Sequence, residues 1–104
     1  MADSNLELRF HEEMLQIYYR AKAECRYNAT RFLQMVSETA GLSAARTLLS
    51  APGVSDGFAA LWQCGRLDLT VEAVVLKSPW NSLFTEHELK VAQERLDELG
   101  YMAK

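Results

Sequence analysis

The chain has 104 residues, of which 49% are hydrophobic and 24% charged, a composition that fits one globular domain and excludes disordered and fibrous proteins. Its 14 acidic and 11 basic residues give a net charge of −3, the wrong sign for a protein that binds nucleic acid by neutralising phosphates. No apolar run reaches the roughly 18 residues of a membrane span, and the N-terminal residues lack the order of a signal peptide. We therefore expect a single domain over residues 1–104, cytoplasmic, with neither a nucleic acid nor a membrane as its partner.

The first predicted element is a long amphipathic helix within residues 1–26, with Ser4 and Glu7 as a candidate capping box. Its main apolar stripe recurs at steps of three and four and is expected to face the core; the members are Leu6, Phe10, Met14, Ile17, Tyr18, Ala21 and Cys25. A second, narrower stripe lies outside this face and consists of Leu8, Leu15 and Tyr19. Either another part of the chain covers the second stripe, or a second copy does in a homodimer.

Shorter helices are predicted for the rest of the domain, residues 27–101, each bounded by a capping residue and by glycine or proline. The predicted caps are Asn28, Ser43, Ser55, Thr70 and Thr85. Thr85 and Glu88 form a complete capping box, and Gly41 is expected to end the second helix. Only the apolar run at 73–76 could form a strand, so we predict an all-α fold, a compact bundle of five to six helices with a long N-terminal helix.

No catalytic or metal-binding pattern is complete in this sequence. Cys25 and Cys64 show no CxxC or Cys/His spacing, and we interpret them as buried thiols of a reducing compartment rather than as a disulfide. The segment starting at His11 begins like a zinc-protease motif, but Leu15 stands where the second histidine is needed. The GxSxG, P-loop and GxGxxG motifs do not occur. We expect no enzyme, no cofactor and no metal.

Charged residues are crowded among apolar ones at 66–72, between two predicted helices. In the interpretation that we favour, Arg66 pairs with Asp68 or Glu72 and satisfies helix-end carbonyls in a structural turn. In the other interpretation, these charges form a recognition site next to an aromatic residue.

The two tryptophans are expected in different surroundings. Trp62 follows the helical stripe of Phe58 and Leu61, and we predict that it lies in the core. Trp80 follows Pro79 in a predicted loop and is the better of the two candidates for an exposed aromatic contact, although we favour a place over the core for it.

Three segments resemble parts of a widespread small bacterial domain of unassigned function. They read YNATRFLQM at 27–35, GRLDLTVEA at 65–73 and LFTEHEL at 83–89, with Gly100 and Tyr101 beyond them. The resemblance covers residues 27–101 and implies a bacterial, cytosolic, helical protein without assigned catalytic residues. Ala29 departs from it, because a proline is expected there.

These patterns together predict a non-catalytic protein-interaction or structural module, with self-association through the first helix as one form of it. The alternatives are a DNA-associated regulatory protein and an enzyme without a recognisable motif. Against DNA binding, the candidate recognition helix after Ser55 offers only Gln63 and an acid to base edges. The candidate interaction residues are Leu8, Leu15, Tyr19, Arg66, Asp68 and Trp80.

Overall fold

The computed structural model describes residues 3–99 and the side chains of residues 5–99. Over this range the chain forms α1 (Asp3–Cys25), α2 (Thr30–Thr39), α3 (Gly41–Ser50), α4 (Asp56–Gln63), α5 (Val71–Val75) and α6 (Glu86–Glu98), with 3-10 turns at Leu67–Leu69 and Trp80–Leu83. No strand occurs within residues 3–99, and the run at 73–76 belongs to α5 and its C-terminal cap. The predicted all-α bundle with a long N-terminal helix is confirmed.

Helix α1 is the longest element, and one of its faces supplies much of the core. Its 23 residues span about 34 Å at 1.5 Å per residue, most of the 39 Å of the longest dimension of the molecule. The predicted apolar stripe is buried along its centre, at Phe10, Met14, Ile17, Tyr18 and Ala21. The main core cluster joins part of this face to buried side chains of α2, α3, α5 and α6. No helix among the described residues has the length and apolarity needed to cross a bilayer.

Three of the five predicted caps of the shorter helices are confirmed. The hydroxyl oxygens of Ser55, Thr70 and Thr85 each accept a hydrogen bond from the backbone N–H three residues later. Glu88 completes the capping box, because its Oε1 accepts from the Thr85 N–H at 2.9 Å. These caps are local interactions within one turn, which is why residue spacing alone identifies them. The side chain of Ser4, on which the first predicted capping box depends, lies outside the described part of the chain, as do residues 100 and 101.

The prediction that Asn28 caps the second helix is wrong. Helix α2 starts at Thr30, and its N-cap residue, Ala29, makes no side-chain cap. The Oδ1 of Asn28 accepts instead from the Tyr18 hydroxyl at 2.8 Å. The Asn28 side chain, which could have capped α2, therefore binds Tyr18, ten residues earlier in α1.

The predicted end of α2 at Gly41 and the predicted cap at Ser43 are also wrong. Ala40 alone separates α2 from α3, and it has the positive φ, 75°, that is usual for a glycine at the end of a helix. Gly41 is the first residue of α3 and is buried, and its N–H donates to His11 Nδ1 at 2.9 Å. A Cβ on Gly41 would lie 2.7 Å from His11 Cα. The glycine is therefore needed for the close approach of α3 to α1.

A buried ion pair connects α3, α5 and α6. The Arg95 guanidinium donates to Glu72 Oε2 at 2.9 Å, and also to the carbonyl oxygens of Leu48, at 3.0 Å, and Ala51, at 2.7 Å. The two carbonyls lie at the C-terminal end of α3, where free acceptors and the helix dipole favour a cation. Burial raises the pKa of the Glu72 carboxyl, and Arg95 partly opposes this shift.

Candidate functional site

The side of α1 that points away from the core carries two large apolar side chains. Leu8 is 57% exposed and Tyr19 is 54% exposed. They are eleven residues apart, close to three full turns, so they lie on one line along the helix, about 16 Å from each other. This line is the outer face of α1, which we define by Asn5, Leu8, Glu12, Leu15, Tyr19 and Lys22.

Charge is distributed unevenly along the outer face. Its one carboxylate belongs to Glu12, which is exposed and lies in the N-terminal half of the helix, whereas Asn5 is uncharged. Lys22 is exposed in the last turn, beyond Tyr19, and the exposed Arg26 follows the end of the helix. The outer face is therefore acidic in its N-terminal half and basic at its C-terminal end.

Leu15 is less accessible to a partner than its place in the second stripe predicts. It is half-buried and packs against the main core cluster, so the second stripe is not fully exposed to solvent. Helices α2 and α3 both contact α1, and they cover one flank of it. Leu8 and Tyr19 remain as the exposed anchors of the predicted stripe.

The predicted cluster at 66–72 is divided between two separate groups of ion pairs, one around Arg66 and one around Arg95. Arg66 forms a bidentate pair with Asp68, at 3.0 and 3.1 Å, and a further ion pair with Glu24 of α1. Arg66 lowers the pKa of both carboxyls, and its own pKa is raised, first by Asp68 and then by Glu24. Glu72 pairs with Arg95 instead. Arg66 thus anchors the turn after α4 to α1, and its pairing with Asp68 agrees with that part of the structural interpretation.

The interpretation of the cysteines as free thiols is wrong. Cys25 and Cys64 form a disulfide whose Cα atoms are 5.9 Å apart, although 39 positions separate them along the chain. Cys25 ends α1 and Cys64 caps the C-terminus of α4. The two helix ends meet beside the Glu24–Arg66 pair, and only the tertiary structure brings them together.

The prediction that Trp62 lies in the core is wrong, and the favoured place of Trp80 over the core is confirmed. Trp62 is 47% exposed, because α4 turns Phe58 and Leu61 inward and Trp62 lies about 100° further round the helix than Leu61. Trp80 is half-buried and packs its ring against the edge of Phe10, at 5.7 Å between ring centroids. The Arg9 guanidinium lies 5.8 Å from the Trp80 ring, which completes this contact on α1.

A cleft of about 510 Å³ opens between α1, α2, α4 and α5. Its walls include Phe32, Met35, Phe58 and Val71, with the buried Glu72 among them. This volume lies within the range of small-molecule sites. Every fully buried side-chain oxygen and nitrogen of the described residues has a hydrogen-bond partner, so the cleft offers a ligand no buried unpaired polar atom from them.

Within the described part of the chain, no three His, Cys, Asp or Glu side chains converge as they would around a metal ion. Comparison with known proteins gives no further guide, because no family model, no curated protein and no solved structure matches the chain. The resemblance to a small bacterial domain stays a prediction. The outer face of α1 is the candidate site that the described residues define best.

Proposed function

We propose that this chain is a non-catalytic protein-interaction module that binds a second copy of itself through the outer face of α1. The observation that carries this proposal is the exposure of Leu8 and Tyr19, each more than half accessible, on one line of the longest helix. Large apolar side chains exposed along one face are a feature of contact sites, and tyrosine is enriched where binding energy concentrates.

A second copy fits this face because the face is complementary to itself. In a closed two-fold dimer, each patch contacts the same patch of the other copy. A carboxylate in one half of the patch and an ammonium group in the other half can therefore form two ion pairs across the interface. Glu12 provides the carboxylate, and Lys22 provides the ammonium group.

The contact is small, and we expect a weak dimer. One helix face between residues 5 and 22 is about 25 Å long and about 10 Å wide, well below the roughly 800 Å² per partner of a standard interface. Association should therefore appear only at high protein concentration, and a dilute sample should be monomeric.

Sedimentation velocity from about 5 to 500 µM protein tests the proposal. The parent chain should shift towards the dimer as its concentration rises, and Tyr19→Glu should stay monomeric because it places a charge in the apolar contact. Trp62→Glu is the matched control, since it removes an aromatic side chain of similar exposure, 47%, away from the outer face. Leu15→Glu is unsuitable because Leu15 also packs against the core.

A parent chain that is monomeric across the whole range would overturn the proposal. A Tyr19→Glu variant that associates as strongly as the parent would overturn it equally.

No observation on the described residues favours the DNA-associated alternative, which a net charge of −3 opposes. The enzymatic alternative is supported only by the volume of the cleft. The cytoplasmic location rested partly on free thiols, and the Cys25–Cys64 disulfide removes that support. Both the location and the bacterial origin implied by the resemblance stay predictions.

A further inference from the structure

The outer face of α1 has the spacing of a coiled-coil seam. Its positions alternate steps of three and four residues without interruption, from Asn5 to Lys22. This spacing keeps one row of side chains turned towards a partner helix. The opposite side of α1 is buried in the domain, whereas the seam residues Asn5, Leu8, Glu12, Tyr19 and Lys22 are exposed to a partner.

We propose that two copies pair their α1 helices antiparallel, in a register that sets Glu12 against Lys22 and Leu15 against Tyr19. This inference rests on the proposed function and specifies the geometry of the same site. Both pairs are symmetric about the level of residue 17, where the two-fold axis would cross the helix. Each pair therefore occurs twice in the dimer.

The antiparallel orientation follows from the charges. A parallel pair would set Glu12 and Lys22 each against its own copy, which makes two layers of like charge. The antiparallel pair turns both layers into attractive contacts. It also places the positive end of each helix dipole beside the negative end of the other.

Charge also selects this register over its nearest antiparallel neighbour. Among the described residues, the ion pairs within the chain involve neither Glu12 nor Lys22, so both charges are available to a second copy. A shift of seven residues would set Leu8 against Tyr19, but it would also set the Glu12 carboxylate against Leu15 on both sides of the axis. A carboxylate placed against an apolar side chain loses its hydrating water and gains no hydrogen bond or ion pair in return.

The exposed part of Leu15 fits the centre of this register. It lies opposite Tyr19, whose ring is more than half exposed and also packs edge-on against Tyr18, at 5.3 Å between centroids. The two Leu15–Tyr19 contacts, one on either side of the axis, would form the apolar part of the interface. Leu8 would lie outside the two ion pairs and face Arg26 of the other copy, whose long side chain can pack on the leucine while its guanidinium stays in water.

A charge swap tests the register. Lys22→Glu should weaken dimerisation about tenfold, because two attractive pairs become repulsive. Adding Glu12→Lys to Lys22→Glu should restore the parent affinity, since both pairs are then opposite in charge again. Lys90→Glu, which makes the same charge change at an exposed position of α6, is the control and should leave association unchanged.

Cross-linking gives a second, independent measurement. An oxidised mixture of Glu12→Cys and Lys22→Cys chains should form mainly the mixed covalent dimer, which still retains one Glu12–Lys22 ion pair. Each chain oxidised alone should cross-link poorly, because its two new thiols would lie on opposite sides of the axis. The two native cysteines are joined to each other, so the introduced thiol is the one that reacts.

The outcomes separate the two proposals. A monomeric parent removes the proposed function and the register together. If the parent dimerises and Tyr19→Glu disrupts the dimer, the proposed function stands. If the double charge swap then fails to restore the affinity that Lys22→Glu loses, the register is overturned. Preferential cross-linking of Glu12→Cys to itself would overturn the antiparallel orientation.

Discussion

Gly41 shows how one residue controls the distance between two helices. Its missing side chain lets the start of α3 reach the backbone of α1, and its N–H finds an acceptor in His11 Nδ1. That bond satisfies one of the N–H groups that the first turn of a helix leaves free. The glycine thus serves the packing of α3 rather than the end of α2.

We expect Gly41→Ala to destabilise the protein by about 1–3 kcal/mol, because the new Cβ would lie 2.7 Å from His11 Cα and one helix must move. Gly57→Ala is the control. Its Cβ would meet nothing closer than 3.6 Å, and alanine should stabilise α4 by up to about 1 kcal/mol. Denaturant unfolding of both variants measures the difference. Equal effects at the two glycines would contradict the close approach at Gly41.

Glu72 and Arg95 form a buried ion pair whose two members differ in their other contacts. Arg95 also holds two carbonyls of α3, whereas burial leaves the carboxylate of Glu72 poorly solvated. The raised pKa of Glu72 means that folding favours its protonated form. The stability that arises from this raised pKa is therefore fully present at low pH, and it is lost as the pH rises through the pKa of Glu72 in the folded state.

Glu72→Gln should gain stability relative to the parent as the pH rises. Glutamine keeps an oxygen acceptor for Arg95 but cannot ionise. The free energy of unfolding of the parent should therefore fall relative to the variant as the pH rises above 4.5, the ordinary pKa of Glu72, to about 7. Chemical denaturation at a series of pH values measures this. A parent that gains stability over the variant across that range would contradict the raised pKa.

At the scale of elements, α4 depends on a few attachments. It has only eight residues, and its buried side chains are Phe58 and Leu61. Its C-terminal end is fixed to α1 by the Cys25–Cys64 disulfide and, just beyond it, by the Glu24–Arg66 pair. A helix this short has little stability of its own, so these attachments hold it in place.

Cys25→Ser should lower the free energy of unfolding by about 3–4 kcal/mol, the amount expected when a cross-link closing a loop of 39 residues is lost. Reductant should shift the unfolding midpoint of the parent towards that of the variant. The variant itself should not respond, which provides the control. A parent midpoint that reductant leaves unchanged would contradict a structural role for this disulfide.

At the scale of the whole molecule, α1 contributes both to the core of the domain and to the surface that we propose binds a second copy. One side of the helix is packed against the bundle, and the opposite side carries the row from Asn5 to Lys22. Because the helix is nearly as long as the molecule, this row is one of the longest straight surfaces available. The separation of Glu12 from Lys22 makes the row self-complementary, which favours a dimer of defined geometry over unspecific association.

The sequence by itself determined the helices, the buried side of α1 and three of the caps, because helical periodicity and capping act over three or four residues. It also indicated Leu8 and Tyr19 as a second stripe. Only the tertiary structure decided that Cys25 meets Cys64, that Glu24 rather than Glu72 reaches Arg66, and that Gly41 touches His11. These contacts join residues 30 to 42 positions apart. No local pattern encodes them, because they depend on how the packed helices direct side chains towards one another.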